Sequence, residues 1–95
     1  MEKIKKYNLI TVNLASLKST NVESHCNAMT FINFGDGATV PTGQELVVDD
    51  VVVVKPGQQY KIEGNEGEVD VTQHRVRWQG TGVRNAVQVR KIYVQ

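Results

Sequence analysis

The stretch ELVVDDVVVVKPGQQYKIEG, residues 45–64, decides the fold class. It contains two aliphatic runs, residues 46–48 and 51–54, that are rich in the β-branched side chains favoured in strands. Between the runs lie Asp49 and Asp50, whose carboxylates would point to opposite faces of an uninterrupted strand. The stretch therefore predicts two short strands joined by a turn or kink, and no helix.

On the N-terminal side of this stretch the apolar residues keep a period of two. In YNLITVNL, residues 7–14, the side chains of Ile10, Val12 and Leu14 share one face, as a half-buried strand requires. The segment AMTFINF, residues 28–34, is apolar on both faces and is followed by GDG, residues 35–37, which predicts a hairpin. We expect this second strand to be buried on both sides or to lie at a subunit contact.

On the C-terminal side the period of two is kept, but its phase changes twice. The inward face moves from Val71 to Val76, which predicts a bulge or strand break near residues 72–74. A second change of phase falls between Val89 and Ile92. Both changes suit strands that bend around a closed or layered structure.

Turn signals recur at short intervals, among them Pro56-Gly57 and Gly80-Thr81-Gly82, the second of which predicts another hairpin. About seven or eight short strands with such turns describe an antiparallel sandwich or barrel of the jelly-roll or immunoglobulin-like kind. With 95 residues, the chain has the size of one small domain. We therefore predict a single all-β domain over residues 1–95.

The charges are unevenly distributed along a chain whose net charge is only +1. Residues 26–72 carry eight acids against two lysines, whereas residues 73–95 carry four arginines and one lysine with no acid. Such asymmetry favours copies of the chain meeting head to tail, or arginines of one strand facing carboxylates of another within the fold. A protein that mainly neutralises phosphates would be more basic overall.

No sequence motif of an enzyme occurs, whether a P-loop, a G-x-S-x-G elbow, an H-E-x-x-H helix or a dinucleotide fingerprint. Cys26 is the only cysteine, so no intramolecular disulfide forms, and no Cys and His cluster has zinc-site spacing. His25 and His74 lack partners at a catalytic spacing, which leaves structural roles as the expectation. We predict no enzymatic activity, no cofactor and no metal.

The segment GNEGEVDVTQH, residues 64–74, places Glu66, Glu68 and Asp70 within five positions. It lacks the ligand order of a calcium loop, so we expect a tight turn whose acids alternate outward from the two neighbouring valines on a strand. Asp70 and Thr72 suit an Asx or Ser/Thr turn at the first change of phase. A weak or interface-linked cation site at the three acids is the alternative.

The segment HRVRWQGTGVR, residues 74–84, is the best candidate for binding nucleic acid. Arg75 and Arg77 project from one strand face, Trp78 offers a stacking surface, and Arg84 follows the turn. Trp78 shares its face with an aliphatic residue, however, which indicates burial in a core or an interface. With a nearly neutral chain, we do not expect nucleic acid as the partner and keep a nucleic-acid-binding barrel as an alternative.

The stretch over residues 46–78 resembles the small all-β proteins found among the virion genes of tailed or icosahedral phages, particularly phages of Bacteroidetes hosts. A strand is followed by turn and strand elements that carry the resemblance: Pro56-Gly57-Gln58, Tyr60, Gly64-Asn65, Glu68, Asp70 and Thr72. The resemblance implies a structural component located in the virion, such as a capsid decoration, vertex or fibre-base subunit. It implies no catalytic residues.

The residues themselves favour self-association on separate grounds. Strands that are apolar on both faces, at residues 31–34 and 51–54, need more cover than one small sandwich offers. We expect a homo-oligomer that also contacts other virion proteins. The hypothesised interaction residues are those of the basic C-terminal quarter with its tryptophan: Arg75, Arg77, Trp78, Arg84 and Arg90.

A monomeric module that binds carbohydrate or protein is the other alternative, with Trp78, Tyr60 or Tyr93 as its platform. The first twenty residues begin with basic side chains, and Thr11 and Asn13 interrupt their apolar residues. This pattern predicts a strand and neither a signal peptide nor a membrane span, so we expect synthesis in the host cytoplasm.

Overall fold

The structure is a computed structural model that describes residues 6–16, 19–22, 24–64 and 68–94. Within these ranges the chain forms eight strands and no helix, which confirms the predicted all-β class. In chain order the strands are β1 (Lys6–Asn13), β2 (Ser19–Val22), β3 (Ala28–Asn33), β4 (Glu45–Val48), β5 (Val52–Val54), β6 (Gln59–Glu63), β7 (His74–Gln79) and β8 (Ala86–Val94).

The strands form two four-stranded antiparallel sheets. Sheet A has the order β1-β8-β3-β6, and sheet B has the order β2-β7-β4-β5. One hydrophobic cluster lies between them and takes side chains from both, including Phe31 and Met29 of sheet A and Leu46, Val76 and Trp78 of sheet B. Each sheet keeps two edge strands, so the molecule is the predicted sandwich and not a closed barrel.

The paired aspartates between β4 and β5 form a hairpin turn. Asp49 and Asp50 have φ values of 55° and 59°, the left-handed conformation that both central residues of a type I′ turn need. Short polar side chains accept this conformation better than aliphatic ones do. Val48 lies opposite Val52 in the resulting register, which confirms the turn predicted between the two aliphatic runs.

The glycine-containing turns that follow β3 and β7 join the two sheets and do not form hairpins. β3 of sheet A is followed by β4 of sheet B, and β7 of sheet B is followed by β8 of sheet A. The hairpins predicted at residues 35–37 and 80–82 are therefore wrong. Gly35 and Gly37 have φ values of 60° and 78°, but such glycines allow any chain reversal and do not by themselves pair the flanking strands.

The loop between β3 and β4 and the loop between β7 and β8 approach each other closely at Gly43 and Gly82, so a side chain on Gly82 would force Gly43 to shift. A Cβ on Gly82 would lie 3.0 Å from the Cα of Gly43.

The turn at Pro56-Gly57 is confirmed, with a φ of 85° at Gly57, and it leads from β5 in sheet B to β6 in sheet A.

The first predicted change of phase is confirmed as a break before β7. That strand begins at His74, and the backbone N–H of Thr72 donates to the Asp70 carboxylate at 2.7 Å, as expected of an Asx turn. The strand predicted around Val69 and Val71 is wrong, because both valines are exposed and only Asp70 forms an isolated bridge, to Cys26. Asp70, and not its valine neighbours, points inward.

The second predicted change of phase is wrong, because β8 pairs without interruption with β1 and β3. Its even-numbered residues from Ala86 to Ile92 face sheet B, and the first two, Ala86 and Gln88, are buried. The Gln88 amide lies 3.5 Å from the sulfur of Met29. The sequence pattern misled because Gln88, a polar residue, occupies the inner face. The neighbouring Val87 and Val89 have the apolar character of core positions but lie on the outer face.

Burial falls along β1 and β8 away from the centre of the sandwich. Leu14 and Ala86 are fully buried, Val12 is half-buried, and Ile10 is exposed although it lies on the inner face. β3 is buried on one face only, at Met29, Phe31 and Asn33. The expectation that β3 is buried on both sides is wrong within this chain, and its partly covered outer face leaves the subunit-contact alternative open.

Candidate functional site

An acid and histidine cluster lies where β7 meets the β4–β5 hairpin. The Nδ1 atom of His74 is 2.8 Å from a carboxylate oxygen of Asp49, and its Nε2 atom is 3.0 Å from a carboxylate oxygen of Asp70. A carboxylate only accepts hydrogen bonds, so both ring nitrogens donate and the ring is an imidazolium when both contacts are made. The cluster links the turn after β4 to two residues, Asp70 and His74, that lie four positions apart before and at the start of β7.

Burial and ion pairing act in opposite directions on this cluster. Burial alone would lower the pKa of His74, but the hydrogen bonds to Asp49 and Asp70 outweigh it and raise that pKa. Burial would likewise raise the pKa of Asp70, but hydrogen bonds from His74 and Thr72 hold it below the usual value. The geometry therefore stabilises the charged forms of both groups.

Backbone contacts hold the hairpin against β7. The backbone N–H of Arg75 donates to the Asp49 carboxylate at 3.0 Å, and the N–H of Asp49 donates to the Arg75 carbonyl at 2.7 Å. The sequence predicts a structural role for His74 and shows no partner at a catalytic spacing. A signal existed, since Asp70 precedes it by four residues, but its pairing with Asp49 depends on the strand order of sheet B.

Arg75 and Arg77 project from the outer face of sheet B, as their spacing predicts, and both face Asp50. The Nε atom of Arg77 donates to Asp50 at 3.1 Å, and a guanidinium nitrogen of Arg75 lies 3.8 Å from the same carboxylate. Val47, opposite Arg77 in the register, is buried although it lies on this outer face. The arginines therefore face a carboxylate of the same fold, one of the two arrangements that the charge asymmetry favoured.

These pairs are exposed, so we predict that Asp50→Asn changes the free energy of unfolding by less than about 1 kcal/mol. Asparagine tolerates the positive φ of 59° at this position and removes only the charge. Urea unfolding at two salt concentrations measures the effect. A larger loss that disappears at high salt would show that Arg75 and Arg77 contribute more than exposed pairs usually do.

The remaining hypothesised interaction residues are scattered. Trp78 is only 9% exposed, and its indole N–H donates to the carbonyl of Leu14 at 3.0 Å, so it offers no stacking surface. Arg84 is exposed and donates to Gln44 at 3.1 Å. Arg90 points inward from β8, donates to the Ser24 carbonyl at 3.0 Å, and keeps a buried Nε without a partner among the described residues. The five residues do not form one surface.

The alternative of a weak cation site at Glu66, Glu68 and Asp70 gains no support from the described residues. No three His, Cys, Asp or Glu side chains there are placed to hold a metal ion. The carboxylate of Asp70 already contacts His74 and Thr72, and Glu66 lies outside the described residues. Cys26 is buried against the bridge to Asp70, and this burial raises the pKa of its thiol.

The aromatic residues do not form a flat platform. Tyr60 packs on the core, and the rings of Tyr7 and Tyr93 lie 6.3 Å apart with an interplanar angle of 80°. The amine of Lys91 sits over both rings, 4.4 Å from the centre of Tyr7 and 5.1 Å from that of Tyr93. This perpendicular, lysine-filled pair is unsuited to stacking on a sugar ring.

Exposed apolar side chains gather along the first half of β1. Leu9 is 59% exposed, Tyr7 50% and Ile10 38%, and these residues lie on both faces of the strand. The register pairs Tyr7 with Tyr93 and Leu9 with Lys91 on the neighbouring β8. We call the side chains of Tyr7, Leu9 and Ile10 the β1 apolar patch.

Comparison with known proteins finds no relative of this chain. No family model, no curated protein and no solved structure matches the chain. Among the described residues no helix has the length and apolar character to cross a membrane.

Proposed function

We propose that the chain is a non-enzymatic structural subunit that associates with further copies of itself, as a component of a phage virion. The resemblance over residues 46–78 supports the virion assignment. The β1 apolar patch supports self-association and is the observation that carries the proposal. Capsid decoration, vertex and fibre-base positions all fit a small sandwich of this kind.

The patch matters because of where its members lie. An edge strand normally carries charges, proline or a bulge that prevents pairing with other chains. β1 carries one charged residue, Lys6, and presents Leu9 on the outer face and Ile10 on the inner face. Covering both faces at once requires a partner that approaches along the edge of sheet A.

Arg75 and Arg77 have a smaller part in self-association than their sequence position suggests. Arg75 and Arg77 face Asp50 of the same chain, at 3.8 and 3.1 Å respectively, so their charges are partly neutralised before any partner arrives. We place the main contact on the β1 apolar patch and leave the arginines a secondary part in contacts with other virion proteins. Association through an apolar patch depends only weakly on salt.

We expect the purified chain to form a discrete oligomer whose mass, measured by size exclusion with light scattering, changes little between low and high salt. Leu9→Lys should shift it towards monomer, because the new charge would have to be buried at the contact. Val40→Lys is the matched control, since Val40 is an exposed aliphatic residue in the loop between β3 and β4. Its oligomer should equal that of the unmodified chain.

Two results would contradict the proposal. A monomer at every concentration and salt level would remove self-association and favour a monomeric binding module. An oligomer that dissociates steeply as salt is added, and whose mass is unchanged by Leu9→Lys, would show that the arginines and not the β1 apolar patch form the main contact. No feature of the described residues favours the carbohydrate-binding or the nucleic-acid-binding alternative, because Trp78 is buried and the rings of Tyr7 and Tyr93 form no flat platform.

A further inference from the structure

The free edge of sheet A has a defined set of backbone groups. β8 pairs with one side of β1, and no strand of the described residues pairs with the other side. The N–H of Leu14 donates to the carbonyl of Ala86 at 2.9 Å, one step beyond the pair of Asn13 and Val87 that ends the register. Leu14 and Ala86 are therefore a hydrogen-bonded pair of the antiparallel ladder.

Such pairs alternate with non-hydrogen-bonded pairs along an antiparallel ladder. Ile10 and Val12 consequently direct their N–H and C=O groups towards β8, and Leu9 and Thr11 direct theirs away from it. The hydrogen bonds on the other side of β8 follow the same alternation. The N–H of Phe34 donates to the carbonyl of Asn85, so the odd-numbered residues of this strand direct their backbone groups to β3 and the even-numbered ones direct theirs to β1. The outward groups of β1 are those of its odd-numbered residues.

We infer that these outward groups pair with β1 of a second copy, antiparallel and about a two-fold axis perpendicular to sheet A. The inference rests on the proposed function, since it specifies the contact through which the copies associate. The two sheets A would join into one continuous sheet of eight strands. An axis in this direction keeps the outer face of one copy continuous with the outer face of the other.

Three properties of β1 favour a second copy as the occupant. The alternating donors and acceptors of an antiparallel edge are complementary to themselves under a two-fold axis. Lys6, at one end, is the only charged residue of the strand, so no like charges meet at its centre. Leu9 and Ile10 lie at that centre on opposite faces, and their equivalents in the second copy would cover both.

A substitution at Thr11 separates edge pairing from every other kind of contact. Thr11→Pro deletes an outward N–H and leaves the N–H groups of Ile10 and Val12 that face β8, and proline is tolerated on edge strands. Thr11→Val is the matched control, because it keeps the N–H. We expect Thr11→Pro to be monomeric at concentrations where the unmodified chain and Thr11→Val are oligomeric, with unchanged circular dichroism.

The outcomes distinguish the inference from the proposed function. An oligomer that persists in Thr11→Pro overturns edge pairing but leaves self-association standing. A monomeric unmodified chain overturns both. If Thr11→Pro and Thr11→Val are both monomeric while the unmodified chain is oligomeric, the loss follows the threonine side chain and not its N–H, and the inference fails.

Hydrogen exchange of the unmodified chain gives a second test that does not depend on how Thr11→Pro folds. The amides of Ile10 and Val12 should be protected at all concentrations, because β8 protects them. The amides of Leu9 and Thr11 should gain protection only above the concentration at which the oligomer forms. Equal protection of odd and even residues, or no change on dilution, would overturn the inference.

Discussion

Replacing Asn33 with alanine is expected to lower the free energy of unfolding by about 3–4 kcal/mol, since each buried partner left without its hydrogen bond costs about 1–3 kcal/mol. The side chain is 0% exposed. Its amide donates to the carbonyls of Gln44 and Val54, both at 2.9 Å, and its oxygen accepts the N–H of Gly35 at 3.1 Å. One side chain thus joins the end of β3 to the loop before β4 and to the end of β5.

Urea unfolding at neutral pH measures this loss. Asn33→Asp is the informative second variant, because it keeps the shape and the acceptor for Gly35 but replaces the amide nitrogen with an oxygen that faces the two carbonyls, so a similar loss is expected. Asn85→Ala is the control at an exposed asparagine and should stay within about 0.5 kcal/mol. A loss below about 1 kcal/mol in Asn33→Ala would mean that the two loops hold their positions without this residue.

Local patterns in the sequence predicted most of the strands, but they missed β2, wrongly placed a strand around Val69 and Val71, and predicted the strands' partners poorly. The β-branched runs around the two aspartates predicted β4, β5 and the turn between them, because all the information lies within a few residues. The glycines at residues 35–37 and 80–82 predicted hairpins, although the strands they join belong to different sheets. Whether consecutive strands pair depends on which faces must be covered, and that is a property of the whole fold.

Periodicity failed where a polar residue occupies an inner position. Gln88 and Arg90 lie on the inner face of β8, so the odd valines of that strand looked like its core. Trp78 shows the converse, since its shared face with Val76 indicated burial and the structure buries it. Alternation predicts the inward face when apolar residues occupy it and misleads when hydrogen bonds compensate a buried polar group.

The candidate sites were less accessible to sequence reasoning than the fold. Asp70 lies four residues before His74, but Asp49 is 25 residues away, and only the order of β7 and β4 in sheet B brings it to the ring. The β1 edge depends likewise on the position of β1 in sheet A. Sequence spacing identified the outward pair of Arg75 and Arg77 because both lie on one strand.

His74→Gln is expected to lower the free energy of unfolding by about 2–3 kcal/mol at mildly acidic pH, because two hydrogen bonds to charged groups are lost or weakened. The figure is discounted because the Asp49 side chain is 41% exposed, although His74 itself is only 9% exposed. Glutamine keeps one donor, so part of the contact survives. The variant also removes the titration of the ring.

The two pKa directions set the pH window. The raised pKa of His74 contributes stability that is fully present below the unfolded histidine value of about 6.5 and is lost as pH rises through the folded value. The lowered pKa of Asp70 contributes stability that is present above about 3.9 and is lost as pH falls through its folded value. The cluster therefore stabilises the fold most between those limits.

Urea unfolding of the unmodified chain from pH 4 to 8 should accordingly show stability that declines on the alkaline side, and this decline should be absent in His74→Gln. His25→Asn is the matched control, because it removes the other histidine at an exposed position whose φ of 45° asparagine accepts. Parallel profiles for His74→Gln and the unmodified chain would contradict the assignment. The imidazolium would then contribute no pH-dependent contact between β7 and the β4–β5 hairpin.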